Sequence, residues 1–530
     1  MFSKIKRCCS DPRWLLVIIG CLGAFVAQSG ELGSADTMHR LQVAHSLWTS
    51  EPPVLPQEYP EFGIHGRGGK LYDWYGIGQP LLLLPFDIVA TGIERLPIFS
   101  DYSGNDPSVR SIIVSYAVNM LLNALTALIC VRLLRLFKFT LIEAIVGALA
   151  LLFCTTHLHY TQNMMENNYI QFLTLVGFTY QYEWLRTGLR RSLLIGCVAS
   201  GLNLLTRLTT GLDLIAVGTF LMLALLLEGV RRREVWNRFL AYAKIALPTY
   251  AAFLLLDRLY QFYRFGSFFN TYVSVFAKEY HQLDPTLPPG WPWTTPFHVG
   301  FLGPLITPEK SIFLFDPLLV LTVLVVIRAW KRLTPEIKAY LVATAGLLLA
   351  YISFYARYFE WSGNFAWGDR YVSTSAQLMA FISAPLLIRH RDQLGELLWR
   401  TGLALIAISG IIQVASLTFW LPLEIYQMET LGHPTFVIAL RFKNIVAFAL
   451  GRMDAWGLTN DAMTEDPWDY VHITTWNFLP FLLRRVGAAP SWVVETAMAV
   501  WYAALAGFLV TCWRLQCLVR RSGLRRAAKA

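Results

Sequence analysis

The sequence predicts an all-α integral membrane protein, a polytopic bundle of about twelve spans with further helices along the outer membrane surface. Of the 530 residues, 55% are hydrophobic and only 15% are charged, against roughly 25% charged in soluble proteins. The apolar residues also form runs of 15 to 22 that are separated by short basic clusters. This alternation is typical of a chain that crosses a membrane many times.

The apolar runs define the predicted spans in chain order. They are 14–30, 111–131, 141–158, 168–185, 192–206, 211–229, 239–257, 311–329, 339–356, 372–389, 401–420 and 491–513. One further apolar run, 76–90, contains Pro80, Pro85 and Asp87. It is therefore either a thirteenth span or a re-entrant or interfacial helix.

The distribution of basic residues favours the twelve-span count. Both termini are basic, so the positive-inside rule places both in the cytoplasm and requires an even number of spans. The net charge of +10 then reflects topology, and we expect no nucleic-acid partner. The eight cysteines show no CxxC or Cys/His spacing, so neither disulfides nor a zinc site are predicted.

This topology places most of the non-membrane residues on the outer face, mainly in the loops 31–110, 258–310 and 421–490. The first loop is the richest in polar and aromatic residues. Asp36 follows the first span directly and has two readings: the N-cap of a helix at the bilayer surface, or a base that meets a lipid-borne substrate. The same loop ends in an aromatic, glycine-rich segment, Tyr72 to Pro80.

These features resemble the GT-C glycosyltransferases, in particular the bacterial branch related to protein mannosyltransferases and lipid A aminoarabinose transferase. The resemblance rests on a basic start, one span, a Ser-x-Asp loop, and a Tyr-x-x-Tyr-Gly-x-Gly-Gln-Pro-Leu segment that begins at Tyr72. Weaker motifs follow in the same order, at 205–209, 264–267, 303–310, 316–317 and 361–371.

The resemblance covers residues 1 to about 390 and sets the predicted domain organisation. A GT-C-like transmembrane domain spans 1–420. The outer loop 421–490 has no assigned role, and 491–530 form the last span and a basic cytoplasmic tail. The implied location is the plasma or inner membrane of a bacterium.

The resemblance implies an inverting transfer of a sugar from a polyprenyl-phosphate donor to a hydroxyl of a lipid, glycan or protein on the extracytoplasmic face. It assigns the catalytic acid of the first outer loop to Asp36 and a second acidic position to Glu166. Thr37 follows Asp36 where many relatives have a second acid, so no metal-binding pair is predicted. No cofactor is indicated, and a divalent cation is left open.

The reaction also needs cations, because a phosphate leaving group develops negative charge. Arg207, Arg370 and Lys310 are the candidate phosphate ligands, since guanidinium forks bind phosphate oxygens at two points. The alternative, non-catalytic roles are that the arginines anchor helix ends and that Glu166 is an interfacial residue. Candidate substrate-binding side chains are Tyr72, Tyr75, Gln79, Trp361 and Trp367.

Two alternatives come from other classes of protein. A transporter or flippase predicts paired repeats with interrupted helices and charges near the membrane midplane, and the sequence shows no repeat. The other alternative is a non-catalytic membrane protein, structural or accessory, with a decayed site.

Overall fold

The structure is a computed structural model that describes residues 11–33, 35–55, 63–104, 107–164, 166–364, 366–452, 475–487 and 489–527. The first ten residues with their basic side chains, Ser34, and residues 453–474 of the loop 421–490 lie outside the described part.

The described chain is mostly helical, as predicted, with one two-stranded antiparallel hairpin, β1 Ile64–His65 and β2 Leu71–Tyr72. The first half of the helices comprises α1 Pro12–Ala27, α2 Ala35–Ser46, α3 Gly78–Glu94, α4 Val109–Leu136, α5 Leu141–Phe153, α6 His157–Gln162, α7 Asn167–Thr187, α8 Arg190–Thr206, α9 Gly211–Leu227, α10 Arg232–Phe265 and α11 Tyr272–Leu283. The second half comprises α12 Phe297–Ile306, α13 Ile312–Phe315, α14 Leu318–Ala329, α15 Pro335–Tyr355, α16 Ser373–Ala380, α17 Ser383–Arg389, α18 Arg391–Ser416, α19 Pro422–Glu429, α20 Val437–Ala449, α21 Leu479–Val486 and α22 Ser491–Ala527.

Six helices within the described ranges are long and apolar enough to cross a membrane. They are Val109–Leu136, Leu208–Leu227, Arg232–Phe265, Pro335–Tyr355, Arg391–Ser416 and Ser491–Arg520. The other predicted spans coincide with helices that are shorter, more polar or broken. Pro317 separates α13 from α14 inside the predicted span 311–329, because proline lacks the N–H that a continuous helix needs. The membrane class is supported, and the count of twelve stays a prediction.

The ambiguous run 76–90 forms α3, which packs against α2 and α4. Its entry segment lies directly on the end of α8. A Cβ atom at Gly76 would collide with the carbonyl oxygen of Leu205, so only glycine permits this approach. The contact brings the Tyr72 to Pro80 segment against the residues that precede Arg207.

Asp87 of α3 fixes the helix that carries Asp36. Its fully buried carboxylate contacts His45 Nδ1 at 2.8 Å, accepts a hydrogen bond from Trp48 Nε1 at 2.7 Å, and accepts another from Arg110 Nε at 2.5 Å. His45 and Trp48 lie at and just beyond the end of α2, and Arg110 lies at the start of α4. One carboxylate therefore joins three helices.

Replacing Asp87 by alanine is expected to destabilise the protein by about 3 kcal/mol, because it leaves the partly buried Arg110 guanidinium without its counter-charge. Thermal unfolding of the purified protein in detergent measures the effect. Asp101→Ala, at an exposed aspartate, is the matched control. Equal midpoints for the two variants would show that the cluster does not stabilise the fold.

The topology prediction uses the two ends of α4. This helix has 28 residues, which corresponds to a length of about 42 Å, and Ser103 precedes it whereas Lys138 follows it. In a cysteine-free background, an impermeant thiol reagent is expected to label Ser103→Cys from outside but not Lys138→Cys. The reverse pattern would overturn the predicted orientation.

Candidate functional site

A cavity of about 760 Å³ brings together residues that lie far apart in the sequence. Asp36, Tyr75, Glu166, Arg207 and Arg370 all line it, and all five were predicted as site residues. Its wall is formed by α2, the segment before α3, the ends of α8, α10 and α15, helix α11, the loops that precede α7 and α16, and the start of α19.

Asp36 is the second residue of α2, in the first turn, where the helix dipole favours an acidic side chain. Its Oδ2 accepts a hydrogen bond from Arg370 Nη1 at 2.7 Å, and its Oδ1 accepts one from Tyr75 Oη at 2.5 Å. Both partners belong to other segments of the chain. The structure therefore directs this carboxylate into the cavity, away from the N-cap role that was the alternative.

Glu166 joins two arginines beside this pair. Its Oε2 lies 2.6 Å from Arg40 Nη2, and its Oε1 accepts a hydrogen bond from Arg207 Nη2. Tyr75 connects the two groups, because its hydroxyl bonds Asp36 while its ring lies 3.9 Å from the Arg40 guanidinium. Glu166 is thus a buried ion-pair partner.

The cluster carries a net positive charge. It holds three guanidinium groups and two carboxylates, and their side chains are only 4 to 19% exposed. In addition, Nη1 of Arg40 is buried and has no hydrogen-bond partner in the part of the chain that the structure describes. The cavity wall as a whole also includes the carboxylates of Asp257 and Glu360. An anion that binds beside the three arginines would therefore meet an unused donor at Arg40, but the wall has no overall excess of positive charge.

Burial and the neighbouring arginines shift the pKa values of Asp36 and Glu166 in opposite directions. Burial alone would raise the pKa of Asp36, but Arg370, Arg40 and the hydrogen bond from Tyr75 outweigh it and hold that pKa below its ordinary value. Burial would likewise raise the pKa of Glu166, but Arg40 and Arg207 outweigh this effect and hold that pKa well below the usual range. Both groups are therefore ionised at neutral pH. The stability that these two ionised carboxylates give to the fold is complete above the ordinary carboxyl pKa values. It is lost as the pH falls through their lower pKa values in the folded protein.

Lys310 binds the backbone of the loop that carries Arg370. Lys310 is buried, and its Nζ donates to the carbonyl oxygens of Asn364 at 2.6 Å and Ala366 at 3.0 Å. Burial lowers the pKa of Lys310 to about 8. The sequence placed Lys310 among the phosphate ligands, whereas the structure places its ammonium behind the loop and off the cavity wall.

Tyr371 links the two predicted phosphate-binding arginines. Its ring centroid lies 5.5 Å from the Arg207 guanidinium and 5.4 Å from that of Arg370. The backbone oxygen of Arg370 also accepts a hydrogen bond from Asn167 Nδ2 at 2.7 Å, which ties the loop to the start of α7. The two arginines therefore flank one aromatic ring.

Four other predicted substrate-binding residues lie outside the cavity wall. Tyr72 sits in the short hairpin and packs on aromatic residues at the end of α10, and Gln79 donates to the carbonyl of Met164. Trp361 packs against α12. Trp367 is fully buried and stacks on a histidine of α6. Their substrate contacts stay predictions.

A second part of the cavity wall was not foreseen from the sequence. Asp257 and Gln261 of α10 line it, as do Tyr272, Phe276 and Tyr280 of α11. The aromatic residues recur at every fourth position, which places them on one face of a helix. That spacing was the signal available in the sequence.

No group of three or more His, Cys, Asp or Glu side chains within the described ranges is placed to hold a metal ion. Comparison of the chain with protein-family models, with curated proteins and with solved structures gives no match. The chemistry of the cavity is therefore the basis for any functional conclusion.

Proposed function

We propose that the chain is a GT-C-type membrane glycosyltransferase with twelve spans. It transfers a sugar, with inversion, from a polyprenyl-phosphate donor to a hydroxyl group of a lipid, glycan or protein on the extracytoplasmic face. One observation carries the proposal: the ionised carboxylate of Asp36 shares a cavity with three guanidinium groups, and aromatic side chains form much of the remaining wall beside the carboxylates of Glu166, Asp257 and Glu360.

The guanidinium groups suit the phosphate of such a donor. Arg370 and Arg207 flank Tyr371, and Arg40 holds an unused donor among the described residues. Planar guanidinium groups bind two phosphate oxygens at once, and a site with restricted water strengthens that attraction. Leu204 and Leu208 add apolar wall at the junction of α8 and α9, which suits an isoprenoid chain.

Asp36 has the properties of the base. The acceptor oxygen attacks C1 of the sugar and loses its proton to Asp36 as the bond from C1 to the phosphate oxygen breaks. The electron pair of that bond stays on the phosphate, where the guanidinium groups stabilise it. The products are the glycosylated acceptor and polyprenyl phosphate.

The pairing of Asp36 with Arg370 couples donor binding to this step. Arg370 donates to Asp36, and a phosphate would compete for the same guanidinium. Weakening that contact raises the basicity of Asp36, because a nearby cation favours the ionised carboxylate. The base therefore becomes stronger once the donor is bound.

Mass spectrometry of membrane lipids and envelope glycans from a strain that lacks the gene tests the proposal. One component is expected to lose a fixed pentose or hexose mass. The parent gene is expected to restore this mass, and an Asp36→Asn gene expressed at the same level is not. Unchanged lipid and glycan masses would contradict the proposal.

A further inference from the structure

The cavity wall formed by Asp257 and Gln261 has no role in the chemistry described so far. The two residues lie one helical turn apart on α10, each is 3% exposed, and both line the cavity. We propose that they form a subsite that accepts hydrogen bonds from the hydroxyl groups of the transferred sugar. This inference rests on the proposed glycosyltransferase function and names a determinant of its donor specificity.

An unused acceptor is the first observation. Oε1 of Gln261 is buried and has no hydrogen-bond partner among the described residues. The ion pair of Asp257 with Arg258 uses Oδ2 and leaves the second carboxylate oxygen without a hydrogen bond in the described chain. Amide and carboxylate oxygens accept hydrogen bonds, so the complementary ligand must bring O–H or N–H donors. A buried acceptor that stays unpaired is costly, and binding such a ligand removes that cost.

The position of this wall relative to Asp36 is fixed by Arg264, one turn further along α10. Its Nη1 donates to Asp73 Oδ1 at 2.9 Å and to the carbonyl oxygen of Tyr75 at 2.9 Å. The hydroxyl of Tyr75 in turn bonds Asp36. The end of α10 and the proposed base are therefore held by one connected set of side chains, which keeps the subsite in a constant relation to the reacting carbon.

Aromatic rings complete the subsite. Phe276 of α11 and Trp74 both line the cavity, and their ring centroids are 5.5 Å apart. Aromatic faces offer apolar surface to the C–H face of a sugar ring, while the acceptors of α10 address its hydroxyls. The guanidinium groups beside Asp36 suit the phosphate of a phosphosugar, and the acceptors of α10 suit its hydroxyls.

Binding measurements on the full-length protein in lipid nanodiscs test the subsite. The probes are undecaprenyl phosphate and its glucosyl, mannosyl and arabinosyl derivatives. The parent protein is expected to bind at least one sugar-bearing lipid more tightly than the bare lipid. Gln261→Met is expected to weaken binding of that sugar-bearing lipid roughly 5- to 10-fold, the effect of one lost hydrogen bond, and to leave bare undecaprenyl phosphate unchanged. Thr249→Val, on the same helix but away from the cavity wall, is expected to change neither affinity.

Donor analogues test the subsite without any variant. A site built around a sugar hydroxyl discriminates strongly against the analogue that lacks it. For the sugar-bearing lipid that binds best, at least one monodeoxy analogue is expected to bind the parent at least 10-fold more weakly.

These measurements distinguish a failure of the subsite proposal from a failure of the glycosyltransferase proposal. Equal affinities for bare and sugar-bearing lipids, no loss in Gln261→Met, or no discrimination among monodeoxy analogues would overturn the subsite and leave the glycosyltransferase proposal standing. A folded parent protein that binds none of the four lipids would overturn both.

Discussion

Asp36→Asn is expected to lower the turnover of sugar transfer roughly 10²- to 10⁴-fold, which is the usual contribution of a general base. Asparagine keeps the shape of the side chain and still accepts a hydrogen bond from Tyr75, but it cannot take a proton from the acceptor hydroxyl. Donor binding is expected to change far less, because Arg370, Arg207 and Arg40 remain. Steady-state transfer by the purified variant, at matched expression and folding, measures the effect.

Asp101→Asn, at an exposed aspartate outside the cavity, is the control and is expected to retain full activity. Turnover of Asp36→Asn within a few-fold of the parent would show that Asp36 is not the base. The base would then be sought at Glu166 or Asp73, or at Asp257 and Glu360, which also line the cavity. Asp73 is buried, which raises its pKa to about 6 even though Arg264 opposes the shift.

The dependence of transfer on pH gives a second readout of Asp36. Its pKa lies below the ordinary aspartate value of 3.8, so its ionised form persists as the pH falls to that value. In kcat/KM, which reports the donor-free protein, loss of activity through protonation of Asp36 is therefore expected only below pH 4. A half-maximal point near pH 6 would instead indicate a base with a raised pKa.

Arg370→Ala is expected to lower kcat/KM for the donor roughly 10²- to 10³-fold, the typical cost of removing one group that stabilises developing charge. Arg370→Lys keeps the charge but loses the planar two-point contact, so an intermediate loss is expected. Arg370→Ala also removes the strongest charge that lowers the pKa of Asp36. The pH below which the residual activity is lost is therefore expected to be higher in this variant.

A donor titration at several pH values measures both effects. Arg357→Ala, at an exposed arginine of the neighbouring loop, is the control. Unchanged donor dependence in a folded Arg370→Ala variant would mean that Arg370 only orients Asp36. Donor phosphate binding would then fall to Arg207 and Arg40.

The membrane character of the chain and the positions of its helices were accessible from the sequence because hydropathy is a local property. The predicted span 111–131 lies within Val109–Leu136, for example, and the span 339–356 overlaps Pro335–Tyr355. Whether each predicted span is one continuous helix was harder to predict from the sequence. The predicted span 372–389 consists of two short helices separated by a turn, and composition does not mark that break because the turn residues are apolar.

Site residues could be nominated from the sequence, but their partners could not. Asp36 and Arg370 are 334 positions apart, yet they form one ion pair. The choice of partner depends on tertiary packing, as does the inward position of Trp367. Lys310 has the right charge for a phosphate ligand, but the loop that carries Arg370 folds over it. Gln261 escaped notice because the predicted span ended at 257, whereas α10 continues to Phe265.

The central claim is tested most directly by incubating the purified protein in nanodiscs with a polyprenyl-phosphate sugar and an envelope lipid extract as acceptor. We expect consumption of the donor, release of one polyprenyl phosphate for each sugar transferred, and a product whose anomeric configuration, read by NMR, is opposite to that of the donor. Asp36→Asn in the same assay is expected to consume the donor roughly 10²- to 10⁴-fold more slowly. A folded parent protein that leaves every donor in a panel of hexosyl and pentosyl polyprenyl phosphates intact, or that moves the lipid across the bilayer without cleaving it, would contradict the account.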